Sequence, residues 1–258
     1  MVKRLYGKWV LGGLGTALGL ALLLVSTPVQ SSDDKWGFSI EPYLWGPGID
    51  GTLGIGGRDT NVDASLSDLI KFVDLTGSLR FEANSKHWGA YGDVWFVDLS
   101  SDSEKYLLGG LLEVKDDIDM DLVIGEAGGT YRISEPLNIY FGIRAQNIET
   151  KITFQTALGA REAKNDTTIT DAIVGVNYRP TFGKRKRWGM GLRGDVGAGD
   201  SDTTWLAQIL GTYRFSRHWY GAVGYRHLQT DYSDNDLKYD IALKGFGIGA
   251  AYRWGGAE

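Results

Sequence analysis

From residue 36 onward, apolar and polar side chains alternate with a period of two, in stretches separated by turn-forming residues. Along 205–215, Trp205, Ala207, Ile209, Gly211, Tyr213 and Phe215 share one face. Gln208, Thr212 and Arg214 share the other, with Leu206 and Leu210 out of place. Successive Cβ atoms of a strand point to opposite sides of its sheet, so this period belongs to β-structure. The same phase runs through 137–145, 188–198, 219–226 and 246–254. The alternation predicts ten strands, over 36–57, 74–84, 87–100, 113–133, 137–153, 166–180, 188–199, 203–216, 219–232 and 237–254. An even number puts both termini on one side, as a closed single-chain barrel requires.

The first segment changes phase. Trp36, Phe38, Ile40 and Leu44 are even, whereas Ile49, Leu53 and Ile55 beyond Gly46-Pro47-Gly48 are odd. A one-residue bulge or a true turn accounts for such a change, which leaves eight or twelve strands as alternatives to ten. Between 65 and 73 the spacing of Leu66, Leu69, Ile70 and Val73 is helical, and Ser65 or Ser67 is placed to cap a short helix in the first outer loop.

The polar face carries charges of both signs in mid-strand: Glu41, Arg80, Glu82, Asp93, Glu126, Arg144, Arg193, Asp195, Arg214 and Arg226. A soluble sandwich or a lipocalin-like periplasmic barrel turns such a face to water. A membrane barrel turns it to the lumen and gives its apolar face to lipid. Two patterns favour the membrane. Connections are short at 84–86, 134–136, 183–187 and 216–218, and long or acidic at 57–73, 100–112, 156–166, 199–202 and 231–236. Strands reaching the short turns end in Tyr131-Arg132, Tyr178-Arg179, Tyr213-Arg214 and Tyr252-Arg253, with tyrosine on the outward parity and arginine on the inward one. Strands leaving them start at Trp88, Trp188 and Trp219, and the first starts at Trp36. Amphipathic rings settle at headgroup level, so Trp36, Trp88, Tyr131, Tyr178, Trp188, Tyr213, Trp219 and Tyr252 read as an aromatic girdle. The fold class is therefore all-β, a single closed antiparallel transmembrane barrel. Polar residues at the inward positions favour a hydrated lumen.

Composition narrows this further. Lys3, Arg4 and Lys8 precede an uncharged apolar run over 11–25 and a small, polar stretch over 26–32, the three-part pattern of a secretory signal peptide. The run is short for a spanning helix. The expected organisation is a signal over 1–31 and a barrel over 32–258. With no cysteine, the chain cannot be a disulfide scaffold. A net charge of −5 gives no basic footprint for nucleic acid. His87, His218 and His227 lack a metal-ligand spacing, and no nucleophile elbow or phosphate loop occurs. The clusters Asp116, Asp117, Asp119, Asp121 and Asp231, Asp234, Asp236, Asp240 lack the EF-hand glycine and glutamate, and read as solvated acidic loops. The run Lys184-Arg185-Lys186-Arg187 reads as a turn touching phospholipid headgroups. Nothing points to an enzyme, a cofactor or a bound metal.

The segments over 36–45, 65–70 and 79–83, Trp88-Gly89 with Asp93, and the closing 245–254 resemble a family of uncharacterised Gram-negative outer-membrane β-barrel proteins. The resemblance spans nearly the whole chain after the signal and carries no catalytic residue. One departure is the tail Gly255-Gly256-Ala257-Glu258, which follows Tyr252 and Trp254 where such proteins end on an aromatic residue. The resemblance implies the outer membrane of a Gram-negative bacterium, with membrane lipids and the assembly machinery as partners. The functional expectation is a narrow pore for small ions or solutes, or an envelope structural protein. A surface-binding module using the long outer loops is the alternative.

Overall fold

The computed structural model describes residues 35–55, 58–71, 73–101, 117–156, 159–234 and 237–255. Its elements in chain order are β1 (Gly37–Ile55), β2 (Arg58–Ala64), a one-turn helix α1 (Leu66–Leu69), β3 (Val73–Asn84), β4 (Trp88–Ser101), β5 (Asp117–Ser134), β6 (Leu137–Thr156), β7 (Gly159–Tyr178), the two-residue β8 (Thr181–Phe182), β9 (Trp188–Gly199), β10 (Thr203–Arg214), β11 (Trp219–Ser233) and β12 (Leu237–Gly255). Antiparallel pairings run β1-β3-β4-β5-β6-β7-β9-β10-β11-β12 and return to β1, so ten strands close a barrel. β2 and β8 are short additions on β1 and β9. The ten-strand reading holds, and neither eight nor twelve is needed. The expected signal over 1–31 lies outside the described residues.

The irregularity expected at Gly46-Pro47-Gly48 is neither a bulge nor a turn. The register of β1 against β12 is constant from Ile40↔Tyr252 to Ile55↔Leu237. What changes is the other edge of β1, which pairs with β3 as far as Tyr43↔Ser78 and with β2 from Ile49↔Ala64. The Gly-Pro-Gly segment lies in the gap between these partners, where a proline without an N–H is tolerated. Ala64 to Leu66 crosses close over this gap. A Cβ on Gly46 would come within 2.9 Å of the Leu66 side chain, and one on Gly48 within 2.8 Å of the Ala64 carbonyl oxygen. Odd residues therefore face inward along all of β1. The phase change in the sequence marks the height at which apolar residues stop facing lipid and begin to fill the interior.

The long connection expected over 156–166 is also different. β6 and β7 stay paired from Glu149↔Asp166 up to Thr156↔Gly159, leaving only 157–158 between them. Where neither face meets lipid, a strand loses the alternation that marks it in sequence. The helix expected over 65–73 is present as α1. Asp68 accepts hydrogen bonds from the Ser65 N–H (3.1 Å) and hydroxyl (2.5 Å), which hold its carboxyl below the usual carboxylate range. Leu69 is the buried residue of this turn.

The outside of the barrel is apolar. Ile143, Val174, Val223, Ile248 and Phe246, the last 69% exposed, all face away from the lumen. At the short-turn end, register partners bring Trp88 onto Tyr131, Trp188 onto Tyr213 and Trp219 onto Tyr252, with ring centroids 4.8, 4.6 and 5.2 Å apart. Trp36 and Tyr178 are exposed at the same end. Charges reappear outward above this belt, as in the Asp50–Lys244 pair (3.2 Å).

Candidate functional site

The chemistry of this chain is inside the barrel. Register alone builds a row of charges along the inner wall: Glu41↔Arg80, Arg80↔Asp93, Asp93↔Glu126, Glu126↔Arg144 and Arg144↔Asp171 on six successive strands. Partners across the lumen complete it. Arg144, fully buried, donates from Nε to Glu126 (2.9 Å), from Nη1 to Thr204 (3.2 Å) and from Nη2 to both oxygens of Asp195 (2.8 and 3.0 Å). Arg193 donates to the Tyr140 hydroxyl (2.8 Å) and also reaches Glu126 and Asp195. Tyr140 in turn donates to Asp195 (2.5 Å).

A second group lies beside the first. Arg80 binds Glu82 (2.8 Å) and Asp93 (3.1 Å), and Arg179 grips Glu82 with both terminal nitrogens (2.8 and 2.7 Å). Tyr43 donates to Asp93 (2.8 Å) and accepts from Arg226 (3.1 Å). The rings of Tyr91, Tyr140 and Trp45 lie against the guanidinium groups, with Arg193 4.7 Å from Tyr140 and Arg226 5.0 Å from Trp45. Buried ions need this degree of pairing, because an unpaired charge away from water costs several kcal/mol.

All ten lumen charges expected from sequence thus fall on the inward parity, and nine stand in or beside the network. Arg214 does not. It sits at the inner rim and donates to the Arg185 carbonyl (2.7 Å). His87 and His218 lie in inner turns, and His227 stacks on Trp205 (4.5 Å).

Sequence reading missed the outer half of the lumen. The expected hydrated interior is instead a dry layer there, formed by Trp45, Trp95, Leu122, Ile124, Ile169, Leu206, Leu228, Tyr239, Ile241 and Leu243. Of the two residues out of place in the alternation, Leu206 is its sign and Leu210 is not. Leu206 is 2% exposed within this layer, and Leu210 lies against Gly224 nearer the mouth. The tryptophan N–H groups are satisfied on backbone, Trp45 on Gly245 (3.3 Å) and Trp95 on Trp45 (3.2 Å). A few polar groups bridge the layers, including Gln146 to Thr230 (2.8 Å) and Ser201 to Asp171 (2.8 Å).

Below the network a cavity of about 180 Å³ opens at the short-turn end. It exists because the inward residues of β9 to β12 are small there, among them Gly191, Ala222, Gly224, Gly247 and Gly249, whereas those opposite are Tyr and Arg.

The outside decides the class. A closed antiparallel sheet with an apolar belt, an aromatic ring at one end and ions inside is inverted relative to a water-soluble barrel, and fits a lipid bilayer. This is a transmembrane β-barrel, with its apolar belt in contact with membrane lipids. The lipocalin-like alternative fails on the same observation. No family model matches the chain, and no curated sequence does at a significant level. Among solved structures, it is similar to the outer-membrane protease OmpT of Escherichia coli (8% identity, 87% of this chain and 99% of that one, TM-score 0.46). It is also similar to the translocator domain of the autotransporter NalP of Neisseria meningitidis (12%, 95% and 98%, 0.42). A third is Ail, the attachment invasion locus protein of Yersinia pestis (13%, 86% and 99%, 0.40).

Proposed function

We propose that this barrel is an envelope structural protein, closed at rest, rather than an open pore. The observation that carries the reading is double closure of the lumen. A solute entering from the periplasmic turns meets guanidinium and carboxylate groups that bind one another, and beyond them a layer of tryptophan, leucine and isoleucine crossed only by buried, hydrogen-bonded polar side chains such as Gln146 and Thr230 among the described residues. Moving an ion through such a layer carries the desolvation cost of a buried charge. The mutual engagement of Arg144, Arg193, Glu126 and Asp195 is in keeping with a structural rather than an enzymatic role. Its partners are then the surrounding lipids and the assembly machinery, which would read the aromatic end of β12 at Tyr252 and Trp254. The expected result in planar bilayers is no steady current above background from the refolded chain. A steady ohmic current from the unaltered protein would overturn the closed-barrel reading and restore the pore.

A further inference from the structure

The cavity at the inner end carries more positive charge than the barrel needs to hold itself together. In the network, Arg80, Arg144, Arg179, Arg193 and Arg226 are matched by Glu82, Asp93, Glu126 and Asp195, with Glu41 facing Arg80, Arg179 and Arg253. That leaves Lys186 and Arg187 without a facing carboxylate among the described residues and Arg253 with only Glu41, which it shares with Arg80 and Arg179; all three cations line the cavity, and none has a carboxylate at ion-pair distance among the described residues. Lys186 and Arg187 belong to the basic turn between β8 and β9, which would otherwise be an ordinary solvated loop. This turn is held in place. Arg214 donates from its backbone N–H to the Arg187 carbonyl (2.8 Å) and from its side chain to the Arg185 carbonyl (2.7 Å), and Lys186 donates its N–H to Gly183 (2.9 Å).

Lys186 has a φ of 45°, the only positive value among the non-glycine residues described. A side chain with a Cβ is disfavoured there, and glycine would be the residue of least strain. Keeping a lysine at that position makes sense if its charge is wanted at the mouth. The Arg253 guanidinium lies over the Tyr220 ring, 4.0 Å from its centroid, a contact that positions it without neutralising it. The volume is on the order of ten times what a single water needs. Low-dielectric walls concentrate the field of such a cluster on whatever enters.

We propose that this vestibule binds a phosphate group, seated between Lys186, Arg187 and Arg253. Two arginine forks and an ammonium supply the charge and the number of donors that a tetrahedral dianion takes. The group can come from a soluble periplasmic phosphate or from the headgroup of an inner-leaflet phospholipid. The proposal does not depend on whether the lumen conducts.

The test is calorimetric titration of inorganic phosphate into the refolded chain in a nonionic maltoside detergent. Saturable binding is expected, weakened by about tenfold or more in the double variant Arg187→Gln/Arg253→Gln. Lys186→Gly serves as a second variant. It relieves the backbone, so the fold is kept, yet it too weakens binding. Lys184→Gln/Arg185→Gln removes the same amount of charge from the turn outside the vestibule and leaves the affinity within about twofold. If phosphatidylglycerol in the micelle blocks the titration and phosphatidylcholine does not, the source is a headgroup; if neither blocks it, the source is soluble. Absence of saturable binding, or an equal loss in the Lys184→Gln/Arg185→Gln control, would overturn the vestibule site.

Discussion

The two halves of this lumen solve one problem with opposite chemistry. The inner half fills the bore with ions, and the outer half fills it with Trp45, Trp95, Ile169, Leu206, Leu228 and their neighbours. The ionic half is expensive to bury and depends on every member having a partner, whereas the apolar half is non-directional and tolerates local change. The difference follows from where each half must meet water. The vestibule opens to the short-turn end below the ions, and the guanidinium groups of Arg80, Arg193 and Arg226 each have an aromatic ring to lie against. The outer layer lies beside strands that continue above the lipid belt, where an interior of apolar side chains packs like the core of a soluble protein.

If this contrast is right, single deletions should act unequally. Arg144→Ala should be the most damaging, on the order of 4 kcal/mol, because it leaves Glu126 and Asp195 in a buried site with Arg193 as the cation they must share. Adding Glu126→Gln to it should restore part of that loss, since one of the stranded charges is then gone. Urea unfolding followed by heat-modifiable gel mobility measures both, and an Arg144→Ala barrel as stable as the original would break the ionic half of the comparison. Leu228→Ala should cost less, about 3 kcal/mol, from lost burial and an unfilled cavity. No second substitution on a charged residue should rescue it. Rescue by a change in the network would mean that the two layers act as one unit.

Much of the wall was legible in the sequence, because lipid on one side and lumen on the other impose period two on every spanning strand. The charges at Glu41, Arg80, Asp93, Glu126, Arg144, Arg193 and Arg226, and the Trp–Tyr ends, follow from parity alone. Legibility fails where the environment on both sides is the same. Above the belt, β6 and β7 stay paired although their sequence reads as a loop. On β1, Ile49 looks like a register error because the inward face has turned apolar where the outward face has ceased to be a lipid face. The dry layer was signalled by apolar residues on the inward parity, such as Leu206, Ile241 and Leu243, gathered at the long-loop ends of their strands. Reading Leu206 as an exception to the alternation hid the layer. The vestibule could not be read at all, because it depends on which strands with small inward residues come to face those carrying Tyr and Arg once the ring closes.

Because the chain has no cysteine of its own, the contrast between a wet inner and a dry outer half can be measured directly. Gln208→Cys places a thiol in the vestibule wall, and Leu228→Cys places one in the apolar layer. In the folded protein, a small charged thiol reagent should modify position 208 readily and leave position 228 untouched until the barrel is unfolded. Equal reaction at both positions would contradict the dry outer layer, and with it the closed lumen.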